Sequence, residues 1–262
     1  MSYKYILSAK KDGVLTLTLN RPAVKNAMSL DLLTELIDAL DKAEASDEIR
    51  ILVIRGADGN FSAGADIKDM AAARNSPNPE KSIHQLSSAF GAMVARFATT
   101  PKTIVTALEG AVMGGGFGLA CASDIAIASH TVKFALPETT LGLIPAQIAP
   151  VLLERIGYSE AKRLTVTGAR IGAEEAMRIG LVHAITDDID NDLEDAVGHA
   201  KRCAPQAVAA SKKLLRDARF IDSDKLVAHA ASLFVDAVTG EEGAEGTLAF
   251  VEKRKAKWML EN

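Results

Sequence analysis

A glycine-rich loop is the segment of this sequence best suited to bind an anion or a polarised carbonyl group. Residues 110–118 read Gly-Ala-Val-Met-Gly-Gly-Gly-Phe-Gly; they follow an apolar run, residues 103–108, and precede a helix-like run that begins at Leu119. A strand, a glycine turn and a helix start leave free backbone N–H groups at the positive end of the helix dipole. Since glycine has no Cβ, a substrate oxygen can approach this backbone closely.

The loop does not match two common phosphate-binding motifs. A P-loop ends in Gly-Lys-Ser/Thr, whereas this loop ends in Phe117-Gly118. A dinucleotide-binding fingerprint counted from Gly114 requires a third glycine at position 119, which is Leu119. On its own, a run of glycines is equally compatible with a tight packing turn.

A second segment of small residues favours the functional interpretation. Residues 60–67 read Asn-Phe-Ser-Ala-Gly-Ala-Asp-Ile and also follow a strand-like run, residues 50–55. Two strand ends could each supply one backbone N–H group to a single oxygen atom. That arrangement is an oxyanion hole built from main-chain donors.

Together these segments resemble the crotonase superfamily, the enoyl-CoA hydratase/isomerase family. The resemblance runs from about residue 5 to the C-terminus, in the order and spacing of the family motifs. The matching segments are Asn20-Arg21-Pro22 with Asn26-Ala27, residues 61–66, residues 110–116, residues 124–128, residues 134–138 with Leu141-Gly142, and residues 168–182.

The resemblance implies an α/β fold with a crotonase-like ββα spiral core at residues 1–195 and a C-terminal helical trimerisation region at residues 196–262. It also implies a homotrimer or a dimer of trimers. The alternation of strand and helix patterns before residue 54 agrees, since it is typical of a parallel sheet. We expect mostly helix from residue 148 to residue 257, and a mobile loop at residues 71–79, which are rich in Ala, Asn and Pro.

By the same resemblance, the substrate is an acyl-CoA thioester. The expected oxyanion-hole donors are the backbone N–H groups of Ala65 and Gly115, and the expected acid/base is Glu138, in the sequence Leu-Pro-Glu. Glu138 lies between two apolar runs, so its carboxyl group is expected to be partly desolvated, which raises a carboxyl pKa. From the residues alone, a surface glutamate at the end of a strand remains the simpler interpretation.

The resemblance also implies contacts with coenzyme A, which is part of the substrate. Asp66 is at the same time suited to cap a following helix. No separate cofactor and no metal are expected, because the histidines show no metal-ligand spacing. The expected substrate-binding residues are Lys25, Ala63, Ala65, Asp66, Ile67, Gly115, Phe250 and Lys253.

One departure from the family pattern leaves the reaction open. Two-glutamate hydratases carry a second catalytic glutamate at the position that Gly118 occupies here. A single glutamate suits a Δ3,Δ2-enoyl-CoA isomerase, or a hydratase in which another group orients the water. Residues 145–150, Pro-Ala-Gln-Ile-Ala-Pro, resemble hydratases of branched or glutaconyl-type chains, which favours the hydratase and makes Gln147 a candidate contact for substrate or water.

Two other classes of protein remain as alternatives. A hydrolase acting through an acyl-enzyme would need a serine with a base, and neither Ser62 nor Ser123 has a motif-supported partner. An RNA-binding role, also present in the family, conflicts with a net charge of −4. The N-terminal residues contain no long apolar stretch and the two cysteines form no disulfide framework, so we expect no signal peptide, no membrane span and a cytoplasmic setting.

Overall fold

A computed structural model describes residues 3–259 as a mixed α/β fold. The strands are β1 (Ile6–Lys11), β2 (Val14–Leu19), β3 (Ile51–Gly56), β4 (Thr103–Leu108), β5 (Ala111–Met113), β6 (Ile125–Ser129), β7 (Lys133–Ala135), β8 (Arg170–Ile171) and β9 (Ala184–Thr186). The helices are α1 (Leu30–Glu44), α2 (Ile67–Arg74), α3 (Pro79–Thr99), α4 (Gly115–Ala122), α5 (Ala149–Thr167), α6 (Ala173–Arg178), α7 (Ile189–Lys201), α8 (Pro205–Asp217), α9 (Ser223–Thr239) and α10 (Glu241–Val251).

The larger sheet has the strand order β1-β2-β3-β4-β6-β9. Its first two strands form an antiparallel hairpin whose turn residues, Asp12 and Gly13, both have positive φ, as a tight hairpin turn requires. The remaining strands pair in parallel. Helix α1 connects β2 to β3 and is capped by Ser29, whose side chain accepts a hydrogen bond from the Leu32 amide.

Both faces of the inner strands β3, β4 and β6 are buried, as is usual for parallel sheets. Leu52 and Ile54 of β3 face the main core, which α1, α3 and α4 complete. Ile51 and Val53 point to the opposite face, where they pack in a smaller cluster with residues of α7. Strands buried on both sides therefore hold the ends of β3 and β4 at fixed positions, and the two small-residue segments follow these ends.

The smaller sheet, in the order β5-β7-β8, positions the glycine loop. Strand β5 pairs in parallel with β7, so the residues after both strands emerge at the same edge. Ser62 forms a bridge to Val112 on the other side of β5. Three sequence-distant segments thus meet beside the start of α4.

Two local expectations from the sequence are wrong. Residues 71–74 belong to α2 and only residues 75–78 separate α2 from α3, because three consecutive alanines favour helix and Asp66 caps its start. The last long helix ends at Val251 rather than at residue 257. The division at residue 195 remains a prediction. Within residues 3–259, no helix is both long and apolar enough to cross a membrane.

Candidate active site

The glycine loop joins β5 to α4 through a turn that glycine adopts easily. Gly114 has φ +47° and ψ −110°, and its amide donates a hydrogen bond to the carbonyl oxygen of Ala135 at 3.0 Å. Gly115 begins α4, and amides in the first helical turn have no partner within the helix. In the part of the chain that the structure describes, the Gly115 amide donates to no other group. The loop thus presents a free N–H group at the positive end of α4.

The small-residue segment at residues 60–67 runs beside β5 like an additional strand. The Ser62 amide donates to the carbonyl oxygen of Ala111 at 2.8 Å, and the Met113 amide donates to the carbonyl oxygen of Ser62 at 2.9 Å. These bonds fix the register between the two segments. They carry the backbone after Ser62 towards the start of α4.

Gly64 allows the two backbones to approach each other. It has φ +92°, and a Cβ built on it would lie 2.9 Å from the carbonyl oxygen of Met113 and 3.5 Å from the nitrogen of Gly115. The Ala65 amide nitrogen is bonded directly to the carbonyl carbon of Gly64. Met28 hydrogen-bonds to the residues on either side of Ala65, and the Ala65 amide itself donates to no group within residues 3–259. The free amides of Ala65 and Gly115 therefore belong to adjoining backbone segments.

The Glu138 carboxyl group lies against the glycine loop. Glu138 starts the short 3₁₀ turn Glu138–Leu141 after β7, and a Cβ on Gly114 would lie 2.8 Å from its Oε1 atom. Its Oε2 atom is buried and accepts no hydrogen bond from the described residues. Burial raises the pKa of the Glu138 carboxyl, and a hydrogen bond from its own backbone amide offsets part of that rise. A desolvated carboxyl group beside free amides has the properties of a general acid/base.

The position of the second family glutamate is closed by packing. A Cβ on Gly118 would lie 2.9 Å from the Cβ of Ile148 and closer still to its Cγ2 atom. Ile148 is only 2% exposed, so it has little room to move. The glycine loop therefore packs against a carboxyl group at Gly114 and against an aliphatic side chain at Gly118.

Comparison with known proteins assigns the chain to a protein family. The model of the enoyl-CoA hydratase/isomerase family matches residues 9–261. The chain belongs to this family. Its fold is accordingly the crotonase fold, and the expectation drawn from the sequence motifs is confirmed.

Individual members of the enoyl-CoA hydratase/isomerase family cover nearly the whole chain. The solved structure of AtuE from Pseudomonas aeruginosa is 47% identical, covers 98% of this chain and 100% of its own, and superposes with a TM-score of 0.94. The 2,3-dehydroadipyl-CoA hydratase of Escherichia coli is 33% identical over 95% of this chain and 96% of its own length. The 1,2-epoxyphenylacetyl-CoA isomerase of Escherichia coli is 34% identical over 71% of each. The protein is thus an enzyme of the enoyl-CoA hydratase or isomerase type.

Several of the residues expected to bind coenzyme A lie in or beside the small-residue segment at residues 60–67. The Ala63 amide donates to the carbonyl oxygen of Lys25 at 2.8 Å, so these two residues are neighbours. Ala63, Ala65 and Ile67 are exposed, whereas the residues between them are buried. Ile67 is 68% exposed, which makes its apolar side chain available to a ligand.

Asp66 has its carboxylate engaged within the protein. It accepts a hydrogen bond from the Lys68 amide at 2.9 Å, as a helix cap does, and it forms an ion pair with Arg21 at 2.7 Å. Burial opposes ionisation here, yet the Arg21 guanidinium lowers the pKa of the Asp66 carboxyl below its usual value. A contact between Asp66 and substrate stays a prediction.

Phe250 and Lys253 lie at and just beyond the end of α10, and no hydrogen bond among the described residues links them to residues 60–67. Phe250 is in the last turn of α10 and 84% exposed, and Lys253 follows the helix with φ +54°. Between residues 3 and 259, no hydrogen bond or ion pair connects either residue to the glycine loop. Their expected contact with coenzyme A stays a prediction.

The role of Asn26 was missed from the sequence. Asn26 is fully buried with φ +56°, and its side-chain amide donates to the carbonyl oxygens of Ala57 at 2.9 Å and Asn60 at 2.6 Å. Its own carbonyl oxygen accepts a hydrogen bond from the Ser62 hydroxyl at 2.9 Å. Asn26 therefore anchors the start of the small-residue segment at residues 60–67. Asparagine tolerates left-handed backbone, but only the three-dimensional contacts reveal what this one holds.

Proposed function

We propose that the protein is an enoyl-CoA hydratase that uses the amides of Ala65 and Gly115 as an oxyanion hole and Glu138 as its acid/base. The observation that carries the proposal is the Glu138 carboxyl group, which lies against Gly114 and has one buried oxygen free of hydrogen bonds. A buried polar atom left without a hydrogen-bond partner lowers stability, and carboxyl groups with perturbed pKa values are typical of catalytic sites.

The proposed reaction adds water across the C2–C3 double bond of an acyl-CoA thioester. Glu138, as a carboxylate, removes a proton from water while the water oxygen bonds to C3. The electron pair of the double bond moves towards the thioester, whose oxygen gains negative charge beside the two amides. Glu138 then returns the proton to C2. Each oxyanion donor typically contributes about 100- to 1000-fold in rate.

A Δ3,Δ2-enoyl-CoA isomerase is the second candidate. Here Glu138 would move one proton between C4 and C2, with the same two amides stabilising the enolate. The packing of Ile148 at position 118 favours this candidate, because it leaves a single carboxyl group to transfer protons. Both reactions thus share Glu138 and the oxyanion hole and differ in the need for water.

For the acyl chain we propose a branched or glutaconyl-type group. The resemblance of residues 145–150 to hydratases of such chains supports this, as does the relative named for 2,3-dehydroadipyl-CoA, whose acyl group also ends in a carboxylate. Leu141, Leu143 and Ile144 follow Glu138 and are 61%, 45% and 74% exposed. These side chains are available to cover an acyl chain, and Lys25, Ala63, Ile67, Phe250 and Lys253 are the proposed contacts of coenzyme A.

We further propose a homotrimer or a dimer of trimers in the cytoplasm, with no cofactor beyond the coenzyme A of the substrate. Exposed apolar side chains on the C-terminal helices, such as Val227, Phe234 and Val235 at 74%, 70% and 57%, support burial against other subunits. Among the described residues, no group of three His, Cys, Asp or Glu side chains could hold a metal ion.

The hydrolase alternative lacks a free nucleophile at this site. The Ser62 hydroxyl donates to the carbonyl oxygen of Asn26 at 2.9 Å and accepts from the Gly64 amide at 3.2 Å. The Ser123 hydroxyl donates to the carbonyl oxygen of Ala120 at 2.7 Å. Both hydroxyls thus serve the local backbone.

A panel of 2-enoyl-, 3-enoyl- and branched glutaconyl-CoA esters tests the proposal. We expect water addition to a 2-enoyl ester, and a loss of about 100- to 10,000-fold in Glu138→Gln, because the acid/base is removed. The matched control is Glu194→Gln, an exposed glutamate of α7, which should keep wild-type activity. Double-bond migration without hydration would establish the isomerase instead, and full activity of Glu138→Gln would remove Glu138 from the mechanism.

A further inference from the structure

Two adjacent residues before α5 occupy spaces that glycines of two different helices leave open. Ile148 fills the space beside Gly118 of α4, as described above. Gln147 fills the space beside Gly91 of α3, where an added Cβ would lie 2.7 Å from the amide carbon of Gln147 and closer still to its Oε1 atom. The same short segment therefore closes the place for a second glutamate at Gly118 and directs a different polar group against α3.

The Gln147 side chain is held by α3 and retains hydrogen-bonding capacity. Its Nε2 atom donates to the hydroxyl of Ser87 at 2.9 Å. Ser87 and Gly91 are four residues apart and therefore lie on the same face of α3. The Oε1 atom accepts no hydrogen bond from residues 3–259, and the side chain is half-buried rather than enclosed. A carbonyl oxygen of this kind can accept a hydrogen bond from a water molecule.

The helix that holds Gln147 also contacts the oxyanion donor Gly115. Phe90, the neighbour of Gly91 on α3, has ring atoms 2.9 Å from the position of a Cβ on Gly115. Glu138 approaches the loop at Gly114, one residue earlier. Glu138 thus lies beside Gly114 and Phe90 of α3 lies beside Gly115, while Gln147 packs against Gly91, the next residue of α3.

We propose that Gln147 holds the attacking water in place of the missing second carboxylate. The Oε1 atom accepts one O–H bond of the water, which leaves the second O–H bond for Glu138 and the oxygen lone pair for C3. The proton goes to Glu138 and then to C2, so Gln147 gains and loses nothing during the reaction. This assignment rests on the proposed hydratase function.

The test separates water addition from proton transfer at C2. Hydration is measured on the 2-enoyl-CoA ester that the wild type hydrates fastest. Proton transfer is measured as deuterium incorporation at C2 of butanoyl-CoA in D2O. That exchange needs Glu138 and the oxyanion hole but no water at C3. We expect Gln147→Leu to lower hydration about 100-fold, as for loss of one hydrogen bond to the reacting atoms, and to leave C2 exchange near the wild-type rate.

Gly91→Ala provides a second variant in which Gln147 itself is unchanged. The new methyl group displaces the amide, while alanine favours the helix more than glycine does, so folding is preserved. It should reproduce the selective loss of hydration. The matched control is Gln85→Leu, the same chemical change at an exposed position of α3, which should alter neither rate.

The possible outcomes assign failure to one hypothesis or the other. Wild-type hydration in Gln147→Leu, or equal losses of hydration and C2 exchange in both variants, overturns the role of Gln147 and leaves the hydratase in place. A wild-type protein that hydrates none of the esters but exchanges the C2 proton overturns the hydratase assignment, and the role of Gln147 with it.

Discussion

Replacing Gly64 with alanine tests whether the two donor backbones must adjoin. A Cβ at this position would lie 2.9 Å from the carbonyl oxygen of Met113, closer than a Cβ normally comes to an oxygen. The obstructing atom belongs to the backbone that leads into Gly115, so it cannot rotate aside as a side chain can. The clash is relieved only if the segment carrying Ala65 and the segment carrying Gly115 move apart.

The expected effect on rate follows from the loss of one aligned donor. Misalignment of one oxyanion donor costs about 2.7–4 kcal/mol, or about 100- to 1000-fold in kcat/KM. Stability falls as well, because Gly64 has φ +92° and a left-handed conformation costs an L residue about 1–2 kcal/mol. For a protein of this size, each kcal/mol corresponds to about 2–4 °C in Tm.

Gly59→Ala is the matched control for backbone strain. Gly59 has φ +66°, and a Cβ built there would meet no atom within 4 Å. Its Tm should fall only by the cost of its positive φ, while its kcat/KM stays unchanged. The assay is steady-state hydration or isomerisation together with thermal unfolding of both variants. The oxyanion-hole reasoning is refuted if Gly64→Ala keeps wild-type kcat/KM while its Tm falls like that of Gly59→Ala.

Three further predictions concern stability. Burial raises the pKa of the Glu138 carboxyl, so the folded state binds this proton more tightly than the unfolded state does. Glu138→Gln should therefore raise Tm at neutral pH. The gain in Tm should disappear as pH falls below the usual carboxyl pKa. An unchanged difference across that pH range would contradict this. Gly118→Glu should fail to increase hydration and should cost at least about 1–3 kcal/mol in denaturant unfolding, less in an Ile148→Ala background. Arg50→Ala should lower the free energy of unfolding by about 3 kcal/mol, because the Arg50 guanidinium donates hydrogen bonds to the carbonyl oxygens of Lys201, Cys203 and Trp258; a loss below 1 kcal/mol by the same measurement would contradict it.

Features that depend on neighbouring residues were predictable from the sequence. The Asp12-Gly13 turn, the Ser29 cap and the glycine turn before α4 each follow from local backbone preferences. The apolar runs on both sides of Glu138 suggested its desolvation, but without the family motif a surface glutamate was the simpler interpretation. The error at residues 71–74 is local too, since composition indicated a loop while alanine propensity favoured helix.

Features that depend on distant contacts were not predictable in this way. Asn26 holds residues that are more than thirty positions away, and nothing in its own segment indicates which carbonyl groups it binds. The contact of Ile148 with Gly118 likewise joins a loop to a helix across thirty residues. The sequence showed that position 118 has no carboxylate, but only the packing shows that no carboxylate fits there.

The shape of this site is determined by where side chains are missing. Gly114 makes room for the Glu138 carboxyl, Gly118 makes room for Ile148, and Gly91 makes room for the amide of Gln147. In the proposed mechanisms, hydration and double-bond migration both use Glu138 and the oxyanion hole, so neither feature can decide between them. The difference lies in whether a water molecule is held near C3. Because Ile148 closes the usual position for a second carboxylate, we propose that this choice depends on Gln147, the polar group that packs against Gly91 of α3.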